Sequence, residues 1–483
     1  MLNIRPILLV IGVLLFLLSI AMLFPALADI YTDNDDWKVF VSSSFFTAFV
    51  GISLYLTNKG QKGQNLNLKQ AFILTTATWV SLVLFSSVPL YLHSPDFGFT
   101  NAFFEAMSGL TTTGATVMVG LDDMPAGILL WRSILQWLGG IGIIVMAMAI
   151  LPMLKIGGMQ LFRTESSDKS DKVLPRITQL CGAITGVYLT FTIICGFSLY
   201  AAGMGAFDAL CHAMTTIATA GFSTRDDSIG YFDSLHIEMV MVFFMIASGI
   251  PYVLYIQLMR GNSVKLLKDA QVRWYLAIIG FSVLIITAWL IFGMGWAPED
   301  ALRSASFNIV SVTTTTGFAS NDYYLWGSFP IVFIFLLAVV GGCTGSTTGG
   351  IKIFRYQVLF ETAKTQINRL IQPHGIFKPL YNGKPISDAA SASVLSFFIL
   401  FAFCFTMLAI LLSLTGLDYM TSMSAAASMM ANLGPGLGDI IGPSGNYSSL
   451  SDIAKWLLTL GMLIGRLEIF TVLILFSPYF WKS

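Results

Sequence analysis

A Thr- and Gly-rich turn recurs four times in this chain, each time after an apolar segment too short to cross a bilayer. The clearest copy is 307–318, Phe-Asn-Ile-Val-Ser-Val-Thr-Thr-Thr-Thr-Gly-Phe. Residues 104–116 and 212–224 carry related turns, and 425–436 carries a degraded fourth in which the Thr run is lost and Pro435 follows the glycine. The aligned glycines are Gly114, Gly221, Gly317 and Gly434, spaced by 107, 96 and 117 residues. A period of roughly a hundred residues implies four copies of one structural unit.

Composition decides where those units sit. Of 483 residues, 55% are hydrophobic and 11% charged, against about 25% charged in soluble chains. Too few charges remain to cover a large soluble core. Several apolar runs reach the roughly 20 residues that span a bilayer, so the expected fold class is an all-α polytopic membrane protein. Each unit reads helix, re-entrant half-helix, turn, helix, and the four surround a central pore. The expected divisions are a two-helix unit at 1–69, then repeats at 70–177, 178–273, 274–388 and 389–483. Ten spanning segments result, including 127–152, 237–259, 329–344 and 453–477 as the second long helix of each repeat. The first apolar run, 7–27, is too long for a signal-peptide core and is read as a retained anchor. Cys181, Cys195, Cys211, Cys343 and Cys404 form no CxxC pair and read as small buried residues.

Net charge is zero, but its distribution sets an orientation. The stretches 59–69, 155–176, 260–273 and 352–384 hold 18 of the 26 Lys and Arg residues, and Arg5 and Lys482 join the same side. The basic bias marks that side, and both termini, as cytoplasmic. Lys38, Arg132, Arg225, Arg303 and Lys455 fall to the other side. There, Asp122 and Asp123, Asp226 and Asp227, Asp322, and Asp439 follow the four turns. They are either solvated loop charges or a ring that concentrates cations at an outer mouth.

Non-helical backbone at membrane depth must be buried in protein or line a watery cavity. Four such turns meeting on one axis supply carbonyl and Thr hydroxyl oxygens, with the negative ends of four helix dipoles behind them. Gly permits the tight, positive-φ geometry that such a ring needs. Rings of carbonyls that replace hydration water are how cation filters work.

These turns, in four helix–half-helix–helix units, resemble those of the superfamily of bacterial, fungal and plant potassium transporters (Trk, Ktr and HKT). The resemblance covers about 70–480, and the additional N-terminal hairpin suits its Trk-type membrane subunits better than the shorter Ktr type. It implies four channel-like units around one pore and K⁺ as the transported ion. The filter it implies is Thr111, Thr112, Thr113 and Gly114; Thr219, Ala220 and Gly221; Thr315, Thr316 and Gly317; and Asn432, Leu433 and Gly434. It also implies a homodimer in the lipid of a bacterial inner membrane, and a TrkA-like cytosolic nucleotide-binding ring as regulatory partner.

Two more features bear on gating. Residues 341–350 read Gly-Gly-Cys-Thr-Gly-Ser-Thr-Thr-Gly-Gly, with Gly341, Gly342, Gly345, Gly349 and Gly350 where a helix is expected. Close helix packing by small residues is one reading. The favoured one is an irregular loop across the pore below the filter, because five glycines cost up to about 1 kcal/mol each in a helix; it resembles the superfamily's gating loop. Arg466 falls mid-way along the last spanning segment, where a charge needs partners or water. It reads either as a structural ion pair with Glu468 of a neighbouring element or as a positive charge beside the pore. Glu105 and His212, in the short helices, read as packing or capping residues. No GxxxxGK[ST], GxGxxG or His-Glu metal spacing occurs, so no nucleotide site is expected on the chain, nor a nucleic-acid partner. An intramembrane enzyme would need paired Asp, Ser–Lys or a metal cluster in the spans, and none is seen. A K⁺ symporter coupled to H⁺ or Na⁺ is the alternative transporter; it needs a midplane carboxylate, and Glu468 qualifies by depth.

Overall fold

The computed structural model describes residues 3–61, 67–149, 173–261 and 264–482. Most of the basic stretch at 155–176, and Lys62 of the stretch at 59–69, lie outside these residues. The described residues are almost entirely helical, with one two-residue hairpin pairing Leu380–Tyr381 with Lys384–Pro385.

The N-terminal unit is Arg5–Ala21 followed at once by Leu23–Tyr31, then Trp37–Asn58 running back alongside. The two helices touch backbone to backbone where Gly12 meets Gly51. A Cβ on Gly12 would stand 2.8 Å from Gly51 O, and one on Gly51 would stand 2.9 Å from Gly12 O. Lipid supplies no hydrophobic drive for helix pairing, so this close approach and the dispersion contacts it allows hold the hairpin. Asp29, fully buried, accepts the Gly127 N–H at 2.6 Å and ties the hairpin to the start of Ala126–Ala149. That N–H is among the donors that a helix start leaves unpaired.

Four sets of helices follow. The leading long helices are Leu68–His93, Val173–Ala201, Ala270–Met294 and Asp388–Ser413; the short ones are Phe99–Leu110, Ala206–Ile217, Pro298–Thr313 and Tyr419–Ala431. Local sequence starts several of them. Asn67 and Gln70 make a reciprocal capping box, and Asp269, Ser387 and Asp418 accept backbone N–H groups as N-caps. The two classes face different surroundings. The most apolar stretches of the long helices are only 22–44% buried, with Phe197, Phe281 and Phe403 among their exposed side chains, as suits lipid. The short helices are buried over most of their length, so they form the centre.

The third helix of the second and of the fourth set departs from expectation, while the interruption in the third set falls at the expected glycines. Ala126–Ala149 is continuous, but the other three are broken. Leu235–Ser248 and Tyr252–Met259 meet at 92°, where Gly249-Ile250-Pro251 interrupts the ladder, since Pro removes a donor and clashes with the preceding turn. Ser328–Ala338 stops before the glycines and the chain resumes as Ile353–Ile371. Asp452–Arg466 and Ile469–Phe476 meet at 115° around Glu468, whose φ is +65°. In place of ten spans, the described residues contain seven helices long and apolar enough to cross a membrane, or nine if each bent pair counts as one. The chain is a multi-pass membrane protein.

The Gly12–Gly51 contact generates a test. Gly51→Leu should lower the melting temperature of the detergent-solubilised protein through an overpacking cost of about 1–3 kcal/mol. Gly60→Leu, where a Cβ meets nothing, should leave it unchanged.

Candidate functional site

All four short helices end in the same way. The residue two before each glycine is left-handed: Thr112, Thr219, Thr315 and Asn432 have φ of +53°, +49°, +53° and +54°. Each donates its N–H to the carbonyl three residues back: Gly109, Thr216, Val312 and Met429. The next residue donates five residues back, to Ser108, Thr215, Ser311 and Ser428. This pair of bonds around a left-handed residue is the Schellman helix stop. Asn tolerates that conformation; three β-branched threonines do not, and each stores about 1–3 kcal/mol. The glycine that follows also has positive φ: +84° at Gly114, +82° at Gly221, +88° at Gly317 and +107° at Gly434.

The four turns close on one another. A Cβ on Gly114 would overlap the carbonyl oxygen of Ala220, one on Gly221 that of Thr316, one on Gly317 that of Leu433. One on Gly434 would stand 2.6 Å from Thr113 O, which returns to the first turn. Each glycine is thus seated against the carbonyl preceding the next glycine, in cyclic order. The sequence-predicted residues Thr111–Gly114, Thr219–Gly221, Thr315–Gly317 and Asn432–Gly434 form these four turns, with Thr111 as the C-cap of the first short helix.

A buried polar frame holds the ring from behind. Glu105, in the first short helix, accepts from Arg132 Nε at 2.8 Å, Thr116 Oγ1 at 2.9 Å and Val117 N at 2.9 Å. Arg132 donates from Nη1 to Ser223 O at 2.9 Å and lies over the Phe222 ring, so one ion pair fastens the strands after the first and second turns. The His212 ring nitrogens contact Asp208 O at 2.8 Å and Ser223 Oγ at 3.0 Å. Ser311 Oγ donates to Phe318 O at 2.7 Å, and Tyr447 OH to Gly434 O at 2.9 Å. Asn432 Nδ2 reaches Thr113 Oγ1 at 3.0 Å and Met462 O at 2.9 Å, joining the fourth turn to the first.

Of the acidic loop residues, Asp122 pairs with Arg225 at 3.3 Å, while Asp226 accepts Leu121 N at 3.1 Å. Those two carboxylates lace together the loops that follow the first and second turns. Asp322 accepts Tyr324 N at 3.0 Å and starts a short 3₁₀ turn. Asp123, Asp227 and Asp439 are exposed.

The glycine-rich stretch is irregular backbone from 339 to 352, almost wholly buried. It is hydrogen-bonded to every neighbour. Cys343 N donates to Gly249 O at 3.0 Å, and Tyr252 N to Gly345 O at 3.0 Å, so the break in the second unit's helix supplies its own free groups. Gly349 N donates to Thr315 Oγ1 at 2.6 Å and Gly350 N to Ala431 O at 2.8 Å. The loop is therefore bonded to one left-handed threonine of the ring. Gly341, Gly345 and Gly350 have positive φ; Gly342 and Gly349 lie too close to Thr348 and to Ala431 O for a side chain.

Arg466 Nη1 donates to Thr347 O of this loop at 3.2 Å. Glu468 pairs with Arg355 rather than with Arg466. Lys352, with φ +72°, returns its ammonium to Thr348 of the same loop. A cavity of about 30 Å³ is lined by Thr348, Gly349, Lys352, Asn432, Arg466 and Glu468, room for a water molecule and not for a hydrated ion.

Lys352 and Arg355 were assigned by sequence to a cytoplasmic loop, and Arg132 to the opposite side of the membrane. They are instead buried or nearly so, with Arg132 and Arg355 each 1% exposed, because each finds a carboxylate or carbonyl. Arg466, 4% exposed, is thus one of several buried cations. Nothing in local composition marks Arg132; its proximity to Asp122 and Asp123 in sequence conceals it.

The sequence profile of the family TrkH, described as cation transport protein, matches residues 37–483. The chain belongs to that family. It is 45% identical over 480 residues to the Trk system potassium uptake protein TrkI of Halomonas elongata, covering 99% of this chain and 97% of that one. It is 37% identical over 484 residues to the Trk system potassium uptake protein TrkH of Escherichia coli, covering 99% of each. The crystal structure of the potassium transporter TrkH from Vibrio parahaemolyticus superposes with a TM-score of 0.92 at 36% identity, over 99% of this chain and 100% of that one. The family consists of transport proteins, so the chain is a transporter and not an enzyme.

In this TrkH-family chain the buried Glu105–Arg132 pair, through Arg132 to Ser223 O, is one of the bonds that fasten the first and second turns. Arg132→Met should destabilise the folded protein by about 3–5 kcal/mol, because it strands a buried carboxylate. Glu105→Gln combined with Arg132→Met should recover part of that loss in detergent melts.

Proposed function

We propose that the chain carries K⁺ into the cell through the ring of turns, which acts as its selectivity filter. The observation that carries this reading is the cyclic seating of each glycine on the next unit's carbonyl. It draws four backbone segments, with their carbonyls and threonine hydroxyls, to one place at the centre of a membrane protein. A ring of neutral oxygens replaces the hydration shell of a monovalent cation without holding it too tightly to leave. The relatives are potassium uptake proteins, which agrees in substrate.

In this reading the glycine-rich loop closes the path on the far side of the ring. Arg466 donates to it and adds a positive charge that disfavours cations, and the cavity between has room for water only. Opening then requires Arg466 and the loop to separate. The bond from Gly349 N to Thr315 Oγ1 means that such a motion also releases part of the filter. The membrane is a bacterial inner membrane with both termini cytoplasmic, and Asp122, Asp123, Asp226, Asp227, Asp322 and Asp439 bias the outer mouth toward cations. The partners are a second copy and a cytosolic nucleotide-binding ring of TrkA type, which would act on the loop. The four repeats divide at 70–177, 178–273, 274–388 and 389–483. Coupled symport with H⁺ or Na⁺ is the weaker reading, since Glu468, its candidate carboxylate, is committed to Arg355.

Flux into proteoliposomes with a K⁺ gradient alone tests the reading. Uptake should proceed without H⁺ or Na⁺ gradients, and a strict requirement for either would favour symport. Gly317→Ser or Gly221→Ser should lower the K⁺/Na⁺ flux ratio severalfold; an unchanged ratio in folded protein removes the filter assignment. Arg466→Ala should raise basal flux or lessen its dependence on the cytosolic partner. If both stay as in the parent, Arg466 has no part in gating.

A further inference from the structure

We propose that Gln136 is a specificity-determining residue of the ring, acting on the Ala220 carbonyl from behind the second turn; this rests on the filter reading above. Gln136 is fully buried on Ala126–Ala149, the one unbroken helix of its class. Its Nε2 donates to Ala220 O at 2.6 Å, and its Oε1 accepts from Phe222 N at 3.0 Å. One side chain therefore grips the peptide groups on both sides of Gly221. A buried amide with both ends satisfied holds one orientation, and losing either bond leaves a buried polar group unpaired.

The grip breaks the symmetry of the ring. The carbonyls seated against the glycines belong to Thr113, Ala220, Thr316 and Leu433. Among the described residues, only Ala220 O accepts a side-chain hydrogen bond.

The chemical consequence follows from the carbonyl's two lone pairs. One is taken by the Gln136 amide, which leaves the other for a cation and lowers the field that the oxygen presents to it. Selectivity between K⁺ and Na⁺ depends on the number and field strength of the ligand dipoles. A weaker ligand returns less of the larger dehydration cost of Na⁺ than of the smaller cost of K⁺. The amide also fixes the Ala220–Gly221 peptide plane, which limits the collapse of the ring around a smaller ion. Both effects favour K⁺.

The test compares K⁺ and Na⁺ flux in the same proteoliposome preparation, so the ratio does not depend on the folded fraction. Gln136→Met removes both bonds. Gln136→Glu keeps an acceptor for Phe222 N and sets a second oxygen against Ala220 O. Both variants should lower the K⁺/Na⁺ ratio about threefold or more, roughly 0.7 kcal/mol on the scale where tenfold is 1.4 kcal/mol. In Gln136→Glu the ratio should recover as pH falls, because the protonated carboxyl regains a donor for Ala220 O; a purely structural role would not give that recovery. Gly221→Ser is measured alongside. If it lowers the ratio while both Gln136 variants keep the parent value, the role of Gln136 is refuted and the filter stands. If Gly221→Ser also keeps the parent value, the filter reading falls and the role of Gln136 falls with it.

Discussion

The structure depends on four glycine–carbonyl contacts that close head to tail. Gly114, Gly221, Gly317 and Gly434 each occupy a place where a Cβ would run into a carbonyl of the next unit. Each also has a φ that side-chain-bearing residues seldom adopt. Two independent requirements, conformation and space, select the same residue at the same point. The surrounding helices follow from this. Backbone that leaves the helical ladder inside a membrane must be sealed by protein, and the short helices are accordingly buried while the leading helices face outward.

Buried charge does the work of fastening. Glu105–Arg132 joins the strands beyond the first two turns, and Arg355–Glu468 joins the broken third and fourth helices. Pairs of this kind add little net stability over an apolar replacement, but removing one partner is costly. That asymmetry suits parts that must hold register. Arg466 differs, since its described partner is a loop carbonyl. A cation held by a neutral group beside a water-sized cavity is easier to release than one held by a carboxylate, which fits the closure proposed above.

Much of this was legible in the sequence, and the misses have physical causes. The repeated Thr-Gly turns marked the ring because positive-φ glycine and hydroxyl-rich turns are local features. The irregularity at 341–350 was legible for the same reason, and Arg466 stood out by its depth. The helix breaks in the second and fourth units were not foreseen. Gly249 and Pro251 do signal one, but they lie inside an apolar run long enough to span unbroken. The turn at Glu468 has no local signal: a non-Gly residue at φ +65° is held by its ion pair with Arg355, 113 positions away. Gln136 and Arg132 were missed because their partners, Ala220, Phe222 and Ser223, are brought near only by the assembly of two units.

The ring and the loop are mechanically one object, through Gly349 N to Thr315 Oγ1 and Gly350 N to Ala431 O. Whether that object holds ions is answered most directly by crystals grown in Rb⁺, an electron-rich substitute for K⁺, with anomalous diffraction recorded at the rubidium edge. The account predicts an anomalous peak enclosed by Gly114, Gly221, Gly317 and Gly434, within coordination distance of oxygens from all four turns. An ordered ring with no peak, or a peak coordinated by the outer aspartates alone, would contradict it.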